Sequence, residues 1–126
     1  MKTAYDTSTQ PPAPFIEFDV VSPQDSKQQR PAQGLLDTGA EVSVLPVEIL
    51  TALQIPKASS MSVESWDGSP TFVTTHIVTL GIADAHLDSI EVVATPIPYA
   101  ILGRDVLNHF ILTLNGKDLS FELEDP

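Results

Sequence analysis

From Phe15 to Val21 the residues alternate in character, with Phe15, Glu17, Asp19 and Val21 interleaved with Ile16, Phe18 and Val20. That period of two predicts a half-buried strand. The polar run Ser22 to Gln33 then predicts an exposed loop. Strands are expected next at Gly34 to Asp37 and at Val42 to Leu45, and Pro46 suits the opening turn of a short helix reaching about Leu53. Met61 to Ser65 and Thr71 to Leu80 flank Trp66-Asp67-Gly68-Ser69-Pro70, a turn-rich stretch that predicts a hairpin. Leu87 to Ala94 is a further strand and Ala100 to Gly103 a short buried one, with a helical turn or two over Arg104 to Asn108. At the end, Ile111 to Leu114 and Leu119 to Leu123 flank Asn115-Gly116, a strong hairpin signal. Met1 to Pro14 is small, polar and proline-rich, and is expected to be a flexible arm preceding a domain over residues 15–126.

Composition narrows this picture to one all-β domain. A chain of 126 residues buries a single core and has no room for two catalytic lobes, while 11 prolines and 6% aromatics favour short strands punctuated by turns. Seventeen acidic residues against six basic ones give a net charge of -11, which argues against nucleic acid or an anionic membrane surface as a partner. The absence of cysteine removes thiol nucleophiles and disulfides and fits a cytoplasmic, reducing setting. No apolar leader follows Lys2, and no segment is long enough to span a bilayer. His76, His86 and His109 lack metal-ligand spacing, so neither a metal nor another cofactor is expected. There is also no phosphate-cradling glycine loop and no Gly-x-Ser-x-Gly elbow.

The chemistry is concentrated in Leu35-Leu36-Asp37-Thr38-Gly39-Ala40, where a large apolar pair runs into a carboxylate, a hydroxyl and a glycine. Such a stretch delivers a carboxylate to the floor of a cleft, where its proton affinity can be tuned. Alone, Asp-Thr-Gly describes an ordinary turn after a strand. A second apolar-apolar-glycine stretch, Ala100-Ile101-Leu102-Gly103-Arg104-Asp105, follows some way downstream and opens a helix. Together the two motifs resemble the retropepsin family, the single-domain aspartic peptidases of retroviruses and their relatives, over about Phe15 to Asn115. The resemblance implies a closed, barrel-like all-β fold with one or two short helices, a flap hairpin over the cleft and an active site assembled by two identical subunits. It implies that Asp37, Thr38 and Gly39 form the catalytic loop, with Gly103, Arg104 and Asp105 in support. Glu41 and Arg104 fall where the family pairs an acid with an arginine beside the cleft, and a buried or half-buried pair is expected, with two solvated surface charges as the alternative. Leu35, Tyr99 and Ile101 fall on the specificity pockets, and Trp66 to Phe72 on the flap, with Gly68 at its tip.

Elementary chemistry supports the same assembly. Peptide hydrolysis by carboxylates needs one ionised group to take a proton from water and one protonated group to polarise the carbonyl. The chain has a single Asp-Thr-Gly, so the second carboxylate must come from another copy. The expected activity is therefore aspartic endopeptidase action on peptide or protein substrates with large apolar side chains around the scissile bond. A catalytically inactive dimerisation or peptide-binding module of the same fold is the alternative, and an acidic barrel scaffold with a coincidental motif is a weaker one.

Overall fold

The computed structural model describes residues 2–64 and 67–125. Twelve elements follow one another: β1 (Lys2–Ala4), β2 (Phe15–Val21), β3 (Gln29–Leu36), β4 (Val44–Pro46), α1 (Val47–Ala52), β5 (Lys57–Glu64), β6 (Pro70–Ile82), β7 (Ala85–Thr95), β8 (Ala100–Leu102), α2 (Arg104–Leu107), β9 (Ile111–Asn115) and β10 (Ser120–Glu124). Among the described residues no helix is long and apolar enough to cross a membrane.

Strands β2, β3, β8, β4, β7 and β6 are hydrogen-bonded in that order, and β6 pairs back with β2 through Asp19↔Gly81, Val20↔Leu80 and Val21↔Thr79. The sheet is thereby closed into a barrel, which removes the exposed edges that an open sheet presents. Alternation fixes which side chains fill it. Ile16, Phe18 and Val20 of β2 are buried together with Val78, Leu80 and Ile82 of β6, while Glu17 and Asp19 face solvent. Leu45, Leu50, Val92, Leu102 and Val106 complete the core from the other strands and both helices.

Two features extend beyond the barrel. Strand β6 is long enough that Pro70 to Thr74 pair only with β5, from Ser60↔Thr74 to Glu64↔Pro70, which makes a projecting hairpin. A second sheet, in the order β1-β10-β9, closes one side of the core with Phe121 and Leu123. All the expected strands and both short helices are present, but three expectations need correction. The loop predicted over Ser22 to Gln33 ends at Gln28. Gln29 to Gln33 belong to β3 because the backbone of β2 supplies their partners, from Val21↔Gln29 to Glu17↔Gln33, whatever their side chains face. The amino-terminal stretch is packed and not a loose arm: β1 pairs with β10, Tyr5 stacks at 6.4 Å from Phe121, and Asp6 bridges to Ala13. Finally, the Asn115-Gly116 hairpin turns through Gly116 to Leu119, with the Asn115 side chain accepting the Asp118 N–H at 3.0 Å.

Candidate active site

Strand β3 carries the Asp37 motif into place beside β8. The two strands run parallel, with Leu35 opposite Ile101 and Leu36 opposite Leu102, so the segments that follow them, Asp37 to Ala40 and Gly103 to Asp105, leave the barrel at the same end. Gly34 makes this approach possible, since a Cβ there would stand 2.9 Å from Phe18 Cε1 and 3.1 Å from Leu102 Cγ. The chain order explains the juxtaposition: β8 inserts between β3 and β4, which are neighbours in sequence, and the Asp37 loop is the connection that must arch over it.

Hydrogen bonds then tie the two segments together. The Asp37 N–H donates to the Leu102 carbonyl at 3.0 Å, and the Arg104 N–H donates to the Ala40 carbonyl at 2.8 Å. Arg104 also donates from Nη1 to the Thr38 carbonyl at 2.8 Å. Within the loop, the Gly39 N–H donates to Asp37 Oδ1 at 2.9 Å, which sets the direction of the carboxylate. The other carboxylate oxygen makes no hydrogen bond to the described residues, and Asp37 is half-exposed. Thr38 and Gly39 are exposed, and the Thr38 hydroxyl likewise has no hydrogen-bond partner among the described residues. Gly103 is required by its surroundings: a Cβ would meet the Ala40 carbonyl oxygen at 2.8 Å, and backbone cannot swing aside as a side chain can.

Beneath this loop lies a residue that sequence reasoning missed. Ser43 is fully buried; its hydroxyl donates to Asp105 Oδ1 at 2.7 Å and accepts the Gly103 N–H at 2.9 Å. Its own N–H donates to Asp105 Oδ2 at 3.0 Å. Asp105 also accepts the Val106 N–H at 2.9 Å, so its carboxylate is held by charge-assisted hydrogen bonds on both oxygens. The only sequence signal for Ser43 is a small polar residue set between Val42 and Val44, just before the apolar strand β4.

Glu41 and Arg104 are placed differently from expectation. Their side chains are 84% and 45% exposed and the closest approach is 3.9 Å, a solvated pair in place of a buried or half-buried one. A contact of this kind is worth about 0–1 kcal/mol. Arg104 acts on the loop through the Thr38 carbonyl, not through the acid.

Leu35 and Ile101 lie side by side, half-buried, on the face of β3 and β8 opposite Leu36 and Leu102. Phe15 lies across from Leu35 on β2 and packs edge-on against Tyr99 with ring centroids 5.3 Å apart. Phe15 thus joins the three predicted residues in one apolar row, a role its place in the β2 alternation did not reveal. On the other side of the Asp37 loop a cleft of about 510 Å³ opens between the loop and the projecting hairpin. Ala40, Val42 and Val44 line it below and Met61 and Val63 above, with Glu41 at its side. A cavity of similar size, about 530 Å³, lies against Thr3, Asp6 and Glu17 and includes no residue of the Asp37 loop.

The hairpin itself occupies the position expected of the flap. Trp66 lies outside the described residues. Gly68 takes φ +87, in the left-handed region that favours glycine, and Asp67 accepts both the Ser69 N–H at 3.0 Å and the Ser69 hydroxyl at 2.6 Å. Those two bonds, the hydroxyl first, hold the Asp67 carboxyl below its ordinary value.

Comparison with known proteins agrees with this architecture. Residues 26–109 match the family described as "gag-polyprotein putative aspartyl protease". The fold is similar to that of a retropepsin-like aspartic protease from Rickettsia conorii, with a TM-score of 0.65 and 13% identity over 98% of this chain and 88% of that one. It is also similar to the EIAV protease complexed with the inhibitor HBY-793, at 25% identity and a TM-score of 0.55 over 76% of this chain and 86% of that one. The protease of simian foamy virus (mac) gives a TM-score of 0.56 and 16% identity over 75% of this chain and 92% of that one. No curated protein sequence matches. The family match spans the Asp37 loop, the flap hairpin and the Gly103-Arg104-Asp105 segment, and the barrel that joins them is the one seen in these proteases: the chain belongs to the retropepsin-like aspartic protease family.

Proposed function

We propose that the protein is an aspartic endopeptidase whose active site forms when two copies bring their Asp37 side chains together across a two-fold axis. The observation that carries this reading is the state of Asp37: one oxygen is fixed by the Gly39 N–H, the other makes no bond among the described residues, and the loop is pinned to Leu102 and Arg104. Asp37 is half-exposed at the end of the barrel with this oxygen open to a partner, whereas Asp105 close by has both oxygens engaged.

Two carboxylates within hydrogen-bond distance repel when both are ionised and so hold one proton between them, with titrations that belong to the pair. The ionised member takes a proton from a bound water as that water attacks the scissile carbonyl, and the protonated member donates to the carbonyl oxygen as it becomes tetrahedral. Collapse of that intermediate returns the proton to the amine that leaves. The exposed Thr38 hydroxyl is available to bond across the axis, and exposed Gly39 lets substrate backbone come close. The Phe15-Leu35-Ile101-Tyr99 row and the cleft under Val63 would take apolar side chains on either side of the scissile bond. Glu41 and the flap residues around Gly68 would border the substrate backbone.

Asp37→Asn is the test. It keeps the shape and the Gly39 bond but removes the proton acceptor, so cleavage of a peptide library should fall by at least about a thousandfold while dimerisation and peptide binding persist. Undiminished cleavage by the variant, or a wild type that leaves the library intact at every pH, would end the proposal.

A further inference from the structure

Resting on that peptidase reading, we infer that His76 is a positioning residue: it clamps β5 where that strand leaves the barrel and so sets the placement of the lid over the Asp37 loop. β5 is the outermost strand of its sheet and among the described strands pairs only with β6. The roof it gives the cleft, Met61 and Val63, is therefore only as well placed as its root. At that root the ladder is irregular. Lys57 pairs with His76 and Ser59 with Thr75, so Ala58 is left over as the extra residue of a bulge. A bulge disrupts the ladder where it occurs, and a tie outside the ladder then decides how firmly β5 is held.

The half-buried His76 imidazole supplies that tie. Its Nδ1 lies 3.0 Å from the Pro56 carbonyl oxygen and 3.2 Å from that of Ile55. Carbonyl oxygens only accept, so Nδ1 carries the hydrogen and shares it between the two. Ile55 and Pro56 form the link between α1 and β5, and Pro56 has no N–H with which to hold itself. Ile55 is buried, and its N–H donates to the Leu50 carbonyl at 3.0 Å. The link is thus fixed to α1 on one side and, through the ring, to β6 on the other. The residue before His76 fastens β6 itself: Thr75 is fully buried, and its hydroxyl donates to Glu91 Oε2 on β7 at 2.6 Å. Two adjacent side chains therefore hold one level of β6, Thr75 to the barrel and His76 to the root of the lid. From Ser60↔Thr74 outward, the hairpin projects beyond that level.

Variants at this position separate the donor from the ring. His76→Asn keeps a side-chain N–H close to the place of Nδ1, whereas His76→Leu fills the space and donates nothing; His76→Val, a strand former without the bulk, repeats the leucine test. Losing the clamp should raise KM for a peptide on the order of fivefold in the leucine and valine forms, with kcat within about twofold of wild type, and asparagine should restore KM. Amide hydrogen exchange should quicken by a similar factor from Ser60 to Glu64 and from Thr71 to Thr74 in the leucine and valine forms, while Val78 to Ile82 in the barrel keep their protection. A wild type that cleaves, with KM and lid exchange unmoved in these variants, overturns the clamp and leaves the peptidase reading intact. Equal loss of protection in lid and barrel overturns it as well, by making His76 a general support of the fold, and so does an asparagine form that behaves like leucine. With a wild type that cleaves nothing the peptidase reading falls, and lid exchange alone then decides whether His76 holds β5.

Discussion

The floor and the lid of the cleft are built on opposite principles. The floor, Ala40 to Val44, belongs to a frame, Asp37 to Ser43 against Gly103 to Asp105, that is held by hydrogen bonds reaching across some sixty residues of sequence and by a backbone contact with no slack at Gly103. The lid, β5 with Pro70 to Thr74 of β6, pairs along its own ladder and is mostly exposed: Lys57–Glu64 is exposed at every position except Met61, and Phe72 is 76% exposed. Opening the lid therefore disturbs little of the core, whereas shifting the floor breaks several hydrogen bonds together, the buried one between the Gly103 N–H and Ser43 among them. An endopeptidase of the kind proposed above needs that division.

The contrast is broken most severely at Gly103. In Gly103→Ala the new methyl would stand 2.8 Å from the Ala40 oxygen and 3.2 Å from the Val42 carbonyl carbon, so the Arg104–Ala40 bond must give way and the Asp37 loop with it. We expect about 1–3 kcal/mol of destabilisation in thermal unfolding. Cleavage should fall much further than stability, by about a hundredfold, because a small misplacement of reacting groups is costly. Ser43→Ala should come next. It strips Asp105 and the Gly103 N–H of a buried partner, a loss of about 1–3 kcal/mol in urea unfolding, and Ser43→Thr should restore most of it by restoring the hydroxyl. Equal stability of the serine and alanine forms would show that the Ser43 hydroxyl does not hold the Gly103 to Asp105 segment.

The same division explains what was legible in the sequence. The barrel strands announced themselves because burial on one face imposes alternation, as in Ile16, Phe18 and Val20, and the Asp37 motif because it follows the apolar pair Leu35-Leu36. What stayed hidden is what depends on partners far along the chain. Gln29 to Gln33 read as loop because their side chains are polar, yet their backbone pairs with β2. Lys2–Ala4 read as a loose arm because nothing local shows that β10 awaits it. Ser43 shows only as a small polar residue between two valines, since its importance lies in Asp105, which reaches it from some sixty residues further along the chain. The Glu41–Arg104 pairing, inferred from resemblance, overstated an acid that is mostly solvated and understated a carbonyl, that of Thr38.

On the lid, substitutions should move binding and not folding. Phe72→Ser removes an exposed ring, so the unfolding free energy should change by no more than about 0.5 kcal/mol. If the hairpin closes on substrate, KM for a peptide should rise with kcat nearly unchanged. A variant unchanged in both constants would show that this part of the lid does not meet the substrate.

The smallest effect expected is at the turn of that lid. Asp67 accepts two bonds from Ser69, and they hold its carboxyl below the ordinary value of 3.8. A depressed carboxyl contributes order above its unfolded value and loses it as pH falls through the lowered one. Over the range from roughly pH 5 upward the turn stays charged and closed, so its titration cannot shape activity there. Asp67→Asn keeps an acceptor for Ser69 but removes the charge, so the cleavage profile should be unmoved above roughly pH 5 and altered only on the acid limb, below about pH 4. Hydrogen exchange at the Ser69 amide reads the same event directly: protection should fall with acidification in the wild type and stay level in Asp67→Asn. A profile shifted near neutrality by this substitution would mean that the turn is coupled to the Asp37 pair, and the separation between a rigid floor and an independent lid would have to be given up.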